Sequence, residues 1–436
     1  MKLVLGLGVT GFSIARFLAK QNIAFKLADS RSQPTLLSEF STELPGIKIS
    51  TGDWQPSLLD DVDEVFISPG IAQSESIVIW AREKNIEITS DIELFSRFSQ
   101  APIIGITGSN GKSTVTQLLG EMARASGKKT AIGGNIGKPA LDCLSDDIEL
   151  YILELSSYQL DYTKKLELLT GVVLNITPDH LDRYDSFEHY TSSKLSLYQY
   201  CQNLVINIDE PLIPAKTLAV HFGLDMPKTD QNFGTVTCHG SCYFLKGDDV
   251  LMGVDEMQLI GEHNVANILA ALTLGDQIGL DMSAMTGCVK TFKGLEHRLE
   301  WISQQQGVEF YNDSKATNAL STITALKALI SKHENIVLIA GGIAKEESHA
   351  DLFELINRDV VATVLIGQSA NEFELGINTA QTVHAQTMQE AVSLAKGMIN
   401  NGVILLSPAC ASFDMFDNFE HRGNAFKQAV AAELFN

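Results

Sequence analysis

Short apolar runs that break at glycine, each followed by apolar residues at helical spacing, recur along most of this chain. Side chains on one strand face repeat every second residue and those on one helix face roughly every 3.6, so the pattern predicts strand, turn and helix in succession. Leu3 to Gly8 is the first run and Thr10 to Gln21 the first helical pattern. Ala24 to Ala28, ending at Asp29, and Glu64 to Ser68, running into Pro69-Gly70, predict two more strands. Ile77 to Arg82 continues as helix, and Ser90-Asp91-Ile92-Glu93 is a capping box opening a helix through Phe98. The run Ile103 to Thr107 breaks into Gly108-Ser109-Asn110-Gly111 and then into a helix over 112–125. Thr130 to Gly137, Ile148 to Glu154 and Gly171 to Ile176 predict further strand ends, and residues 186–200 a helix containing Lys194.

From Leu204 to Met257, short strand-like pieces punctuated by glycine predict an antiparallel insert or extension. Gly261 to Asn267 opens an Ala/Leu-rich helix, and a boundary falls near Phe292 to Leu299. Beyond it, strands at Val308 to Tyr311, Ile336 to Ala340, Ala362 to Ile366 and Val403 to Leu406 resume the α/β alternation. A last helix spans Ala425 to Leu434.

With 436 residues, two or three domains are expected, and an apolar content of 45% is enough for sizeable cores. No apolar run reaches the ~18 residues of a membrane span, and the glycine-broken start reads as a first strand rather than a signal peptide. The six cysteines are scattered, which fits reduced thiols in a cytoplasmic protein. Cys238-His239-Gly240-Ser241-Cys242 is either half a zinc site or a hairpin with incidental cysteines, and no matching second pair follows it. A net charge of −21 argues against nucleic acid or an anionic membrane as partner. A chain this acidic that binds phosphate must gather cations or metal ions at the site.

The central loop supplies the candidate chemistry. Small residues let successive N–H groups curl around phosphate oxygens, with the following helix N-terminus adding its dipole. Lys112 would carry charge to the β/γ-phosphates, and the Ser113 or Thr114 hydroxyl would ligate Mg²⁺. Ile106 stands where the general G-x-x-x-x-G-K-[ST] pattern has its first glycine. Open α/β sheets collect ligands at the carboxyl ends of their strands, and Lys112/Ser113, Glu154 and His180 mark three such ends. Glu154 reads as a Mg²⁺-linked carboxylate or as a capping or salt-bridged one. His180, beside Asp179, reads as a functional imidazole or a satisfied core one. Spacing alone makes Lys194 a solvated charge. Gly6-Leu7-Gly8-Val9-Thr10-Gly11, with Asp29 closing the next strand, reads either as a dinucleotide fingerprint or as a tight strand-to-helix turn.

Six motifs in order carry a resemblance: Thr107 to Thr114, Glu154-Leu155-Ser156-Ser157, Asp179 to Arg183, Gly261-Glu262-His263-Asn264, Glu296-His297-Arg298 and Asn312 to Asn318. The set resembles the Mur ligases, ATP-dependent amino-acid ligases of peptidoglycan synthesis. The tail, Ser407 to Asp414 and Asn418 to Gly423, is similar to the family's D-glutamate-adding branch. The resemblance implies three α/β domains: a Rossmann-like UDP-substrate domain at 1–98, a central P-loop ATPase-like domain with a mostly parallel sheet at 99–297, and a Rossmann-like amino-acid domain at 298–436. It implies ATP at Gly108, Ser109, Asn110, Gly111, Lys112, Ser113, Thr114, Asn267, Arg298 and Asp313. It implies UDP-N-acetylmuramoyl-L-alanine at Gly8, Val9, Thr10, Asp29, Ser30, Arg31, Gly70, Asn135 and His180. D-glutamate falls to Lys315, Thr317, Lys345, Ser412 and Phe413, although Glu346-Glu347 beside Lys345 are unusual neighbours for a site taking an acidic amino acid. Two Mg²⁺ ions are implied, with Ser113, Glu154, His180 and Lys194 around them. Lys194 would be a CO₂-derived carbamate, and Lys112, Glu154, His180 and Lys194 the catalytic set. The enzyme so implied is a cytoplasmic monomer acting on small molecules, with no nucleic acid or membrane insertion.

Overall fold

The computed structural model describes residues 1–179, 183–214, 218–344, 348–378 and 381–433. Within them the alternation resolves into three sheets. The first contains β1 (Lys2–Leu5), β2 (Phe25–Asp29), β3 (Ile49–Thr51), β4 (Glu64–Ile67) and β5 (Glu87–Ser90), all parallel, in the order β3-β2-β1-β4-β5. Parallel strands need helical crossovers, which cover both faces, and β1 and β4 accordingly read as apolar runs after a charged first residue, Lys2 and Glu64. The strand order reverses between β1 and β4, and a crevice opens at such a switch point. Gly6 and Ser68, at the ends of these two strands, face each other across it, the Ser68 hydroxyl donating to Gly6 O at 3.2 Å.

The second sheet contains β6 (Ile103–Thr107), β7 (Thr130–Gly134), β8 (Leu150–Glu154), β9 (Leu168–Val173), β10 (Cys201–Asn207), β11 (Val220–Phe222), β12 (Phe233–Cys238), β13 (Ser241–Lys246) and β14 (Asp249–Gly253). Its order is β14-β13-β12-β11-β10-β9-β6-β8-β7. The expected antiparallel insert is only partly antiparallel. β10 and β11 pair parallel with the main sheet, and only β12–β14 form a meander. Val205 and Ile206 are buried, as an interior strand requires, whereas β12 ends in exposed residues. The helix expected over 186–200 is α-helical over Phe187–Leu195 and tightens into a 3₁₀ turn over Ser196–Gln199.

These two sheets form one compact unit, residues 1–256 with 265–290. Side chains from one sheet meet the backbone and side chains of the other. Glu93 accepts from the Lys164 and Lys165 amides at 2.8 and 3.1 Å, Ser13 donates to Asp142 at 2.7 Å, and Gln159 donates to Asp91 at 3.0 Å.

The second unit, residues 257–264 with 291–436, carries the third sheet. Here β15 (Glu300–Gln305), β16 (Val308–Asn312), β17 (Ile336–Gly341), β18 (Ala362–Ile366), β19 (Gln381–His384) and β20 (Gly402–Leu406) run in the order β15-β16-β20-β17-β18-β19. All neighbours are parallel except the β15–β16 edge hairpin. The last helix spans Phe419–Glu433, starting earlier than the apolar spacing suggests. Asn418 explains the start, because its side chain accepts from the His421 amide as an N-cap. Among the described residues no helix is long and apolar enough to cross a membrane.

The join between the first two sheets contains a buried carboxyl with an unsatisfied atom. Asp91 is 2% exposed, and its Oδ1 has no hydrogen-bond partner. Burial pushes its pKa from 3.8 up to about 6, outweighing the opposing bond from Gln159. The folded chain therefore keeps this proton to higher pH than the unfolded one, so stability falls as pH rises from about 4 to about 6 and stays reduced above it. Asp91→Asn cannot titrate. Its stability relative to the parent protein should rise by about 3 kcal/mol between pH 4 and pH 7.5, a shift of about two units at ~1.4 kcal/mol each. Denaturant titrations of both proteins at the two pH values measure this; parallel curves would remove the buried charge from the account.

Candidate active site

β6 runs buried to Thr107 and turns directly into the helix Lys112–Ala125. Gly108 and Gly111 take φ of +152° and +84°, which a side chain would resist. A Cβ at Gly111 would stand 2.3 Å from Asn267 Oδ1, so the missing side chain is also what lets Asn267 lie against the loop. The segment after β9 holds the loop from the other side. Ser109 N–H donates to Asn175 O at 2.9 Å, Asn110 N–H to Asn175 Oδ1 at 2.8 Å, and Asn175 Nδ2 returns to Asn110 O at 3.0 Å. The Ser109 hydroxyl lies 2.9 Å from Tyr190 OH.

Two ammonium groups converge on this turn. Lys112 Nζ donates to Gly108 O at 2.8 Å and to Ser109 O at 3.0 Å, and Lys194 Nζ donates to Gly108 O at 2.8 Å. The solvated lysine expected from spacing at 194 is not what the fold provides, since Lys194 is 2% exposed. The helix that carries it packs its Lys194 side against the loop, leaving polar residues outside. Burial, and then the positive charge of Lys112, lower the Lys194 pKa to about 7 against the pull of Asp179, Asp161 and Glu154. A neutral amine is therefore accessible near neutral pH.

Glu154 ends β8 beside β6, paired in register with Ile106, and is 2% exposed. Asn135 Nδ2 donates to its Oε1 at 2.8 Å, and among the described residues its Oε2 has no partner. Ser113 is buried in the first turn of the following helix. An acidic oxygen buried without a partner is costly unless a cation completes it. This donor set fits a divalent ion: a hydroxyl and a carboxylate with an open oxygen. His180, read as a catalytic, substrate and metal residue, lies outside the described residues, as does Lys345.

The first sheet supplies a separate cleft of about 460 Å³ at its switch point. Gly8, Val9, Thr10, Asp29, Ser30, Arg31 and Gly70 all line it. Asn135 does not; it sits beside Glu154. Asp29 does not offer a free acid to a ribose. Its oxygens accept from Leu7 N at 2.7 Å and from Arg31 N, Nε and Nη2 at 2.9, 2.9 and 2.7 Å. Burial raises its pKa, but the Arg31 and Leu7 bonds prevail and hold it below the ordinary carboxylate range. The acid shapes the turn. Trp54 and Glu75, joined by an indole-to-carboxylate bond of 3.0 Å, also line the cleft. No motif or spacing marks either residue.

In the second unit the loops after β16 and β20, adjacent parallel strands, lie together. Ser407 Oγ donates to Asp313 Oδ2 at 2.7 Å and Leu299 N to Asp313 Oδ1 at 3.1 Å; burial nevertheless pushes the Asp313 pKa up to about 7. Arg298 is exposed at a kink where His297 and Leu299 take φ of 63° and 44°. Non-glycine residues pay for that backbone, and such strain clusters at functional sites. Lys315 Nζ lies 3.8 Å from the centre of the Phe419 ring, and Ser412 is buried while Phe413 is 72% exposed. Thr317 is partly buried beside the N-cap Asn318. Phe419 and Arg422 lie in the tail motif Asn418 to Gly423, but sequence reasoning gave neither a role; Arg422 is 1% exposed and donates to Ser314 Oγ, Ser314 O and Cys410 O at 3.0, 2.8 and 3.0 Å.

Glycine loop, paired lysines and open carboxylate fit the class of proteins that bind nucleoside triphosphates, and the relatives narrow that class to ATP-dependent ligases. Residues 1–90 match the MurD-like N-terminal domain of Mur ligases, 106–275 the Mur ligase middle domain, and 297–410 the Mur ligase glutamate ligase domain. The chain belongs to the Mur ligase family. Among similar proteins, the UDP-N-acetylmuramoylalanine–D-glutamate ligase of Pseudomonas savastanoi pv. phaseolicola is 41% identical over 436 residues, covering 98% of this chain and 97% of its own length. The enzyme of the same name from Nitrosococcus oceani is 41% identical over 434 residues, covering 98% and 95%. The fold is that of solved Mur ligases. The UDP-N-acetylmuramate-alanine ligase of Thermotoga maritima superposes with a TM-score of 0.62 at 15% identity over 99% of both chains. A pseudomurein peptide ligase type C from Methanothermus fervidus gives 0.59 at 20% over 100% of both.

The open Glu154 oxygen yields a test that does not depend on turnover. Glu154→Gln should unfold at a temperature no lower than the parent in the absence of Mg²⁺, because a buried charge is removed. It should lose most of the additional stabilisation that Mg²⁺ with a non-hydrolysable ATP analogue gives the parent, read as a thermal shift. An undiminished shift in the variant would take Glu154 out of the metal site.

Proposed function

We propose that this chain joins D-glutamate to the L-alanyl carboxylate of UDP-N-acetylmuramoyl-L-alanine at the expense of ATP. The observation that carries the reading is the convergence of Lys112, Lys194 and the half-open Glu154 at one phosphate loop. Phosphoryl transfer to an anionic carboxylate is a problem of positioning and charge neutralisation, and these are the groups that solve it. The loop amides and Lys112 hold the β/γ-phosphates, with Asn267 against the loop. Ser113 and Glu154, and at a second position His180 and a carbamylated Lys194, would hold Mg²⁺, which would supply charge neutralisation for the phosphates. The substrate carboxylate attacks the γ-phosphorus, ADP leaves, and an acyl phosphate results. The amine of D-glutamate then attacks its carbonyl, the tetrahedral intermediate expels inorganic phosphate, and the ammonium proton passes to a base, for which His180 is the candidate.

The first-sheet cleft takes the UDP end of the substrate, with the glycine turn against the diphosphate and Asp29-Ser30-Arg31 at the uracil. Asn135, beside Glu154, meets the muramoyl end. Arg298 and Asp313 serve the nucleotide, and Lys315, Thr317, Lys345, Ser412 and Phe413 the D-glutamate. A lysine with hydroxyls suits a dicarboxylate. The reading divides the chain into domains at 1–98, 99–297 and 298–436, supported by one sheet falling within each. The protein acts as a cytoplasmic monomer in peptidoglycan precursor synthesis, and through it in cell shape and division.

Phosphate release with ATP, Mg²⁺ and UDP-N-acetylmuramoyl-L-alanine should require D-glutamate and not L-glutamate, L-lysine or meso-diaminopimelate, with the product confirmed by mass. Release with another amine would overturn the specificity. Lys194→Ala should abolish ligation, and stripping bicarbonate should slow the parent enzyme; full activity in Lys194→Ala would remove the carbamate.

A further inference from the structure

Arg183, in the segment after β9, reaches the wall of the first-sheet cleft. Its Nη1 donates to Gly70 O at 2.7 Å, and its Nη2 donates to Pro69 O and Ile71 O at 2.5 and 2.6 Å. Its guanidinium lies over the Tyr158 ring, 4.1 Å from the centroid, and Tyr162 OH adds a second bond to Ile71 O at 2.9 Å. Three consecutive carbonyls are thus drawn onto one cation. Pro69, Gly70 and Ile71 are themselves lining residues of the cleft. The same segment is tied to the glycine turn, since Ile71 N–H donates to Ser68 O at 3.1 Å and the Ser68 hydroxyl to Gly6 O.

We propose that Arg183 is a positioning residue for the UDP-linked substrate, holding the Pro69–Ile71 wall in a form that accepts an anion. A wall that contacts a diphosphate must not present carbonyl lone pairs to it. Each peptide here is trans, so the N–H of each plane opposes its C=O. Gathering these carbonyls on the guanidinium keeps their lone pairs off the cleft and turns the Gly70 amide away from the cation, while the Ile71 amide is held by Ser68 O. Charge-assisted bonds suit this task better than neutral ones, and the flat five-donor guanidinium serves three acceptors where an ammonium cannot match the spacing. The proposal rests on the cleft being the UDP site.

Arg183→Met should raise KM for UDP-N-acetylmuramoyl-L-alanine about tenfold or more, the scale of losing hydrogen bonds to a charged group. KM for ATP, KM for D-glutamate, kcat and the unfolding temperature should stay near the parent values. A rise confined to the UDP-substrate KM supports the role, and any other pattern overturns it, including a joint change of every constant with a lower unfolding temperature. If Arg183→Met does not fold, Arg183→Lys and Tyr162→Phe are judged by the same criterion. Competition of free UDP with the substrate in the parent enzyme is the control. Absent competition overturns the UDP site itself, whereas intact competition with an unchanged KM in Arg183→Met overturns only the part given to Arg183.

Discussion

Two ammonium groups share the carbonyl oxygen of Gly108, and the rest of the central site is arranged around that unfavourable proximity. Like charges this close repel, and one of them, Lys194, is almost wholly withdrawn from water. The fold relieves the strain in two ways. Lys194 surrenders its proton readily, and the carboxylates of Glu154, Asp161 and Asp179 lie within electrostatic reach. Glu154, for its part, keeps one oxygen without a partner. Neither group is at rest in the free protein, and a polyanion with a metal ion removes both costs together. In a chain with a net charge of −21, the two cations at this loop are placed locally, against the overall field.

The strands were legible because parallel sheets are covered on both faces, leaving long apolar runs that glycine must interrupt where ligands approach. Order and register were not, since nothing local says that β10 and β11 extend the parallel sheet while β12–β14 turn back. Helix ends were legible where a side chain caps them, as at Ser90, and missed where apolar spacing misled, as at Phe419. The same division holds for the site. Residue types that can do one kind of work, a lysine after a glycine loop or a carboxylate at a strand end, announce themselves in the chain. Lys194 did not, because its value lies in burial, which depends on the helix it sits on meeting a loop 86 positions away.

Side chains that act on the backbone are the least legible of all. Arg183, Arg422, Glu93 and Asn175 each bond main-chain atoms of a distant loop, and a main-chain partner leaves no trace in residue identity. Such contacts hold position without dictating what side chains the gripped loop bears. That separation is useful where one loop must keep its shape while presenting its other side to substrate. Pro69–Ile71 is gripped from behind by carbonyls and lines a cleft in front, and Asp313–Lys315 is gripped through Ser314 while Lys315 reaches the Phe419 ring.

Asp29 shows how the same logic changes the meaning of a motif. In a strand-turn-helix that binds a dinucleotide, an acid at this spacing offers its oxygens to a ribose. Here both oxygens are already taken by Leu7 and Arg31. The carboxylate has become part of the scaffold, leaving Arg31 oriented and half-exposed at the mouth of the cleft. The turn keeps its glycine geometry, and with it the capacity to meet phosphate. What it gives up is the hydroxyl-reading acid on which a nicotinamide cofactor depends. With its ribose acid internally satisfied, the turn no longer carries the residue that the redox reading of the fingerprint depends on, and that reading loses its main support there.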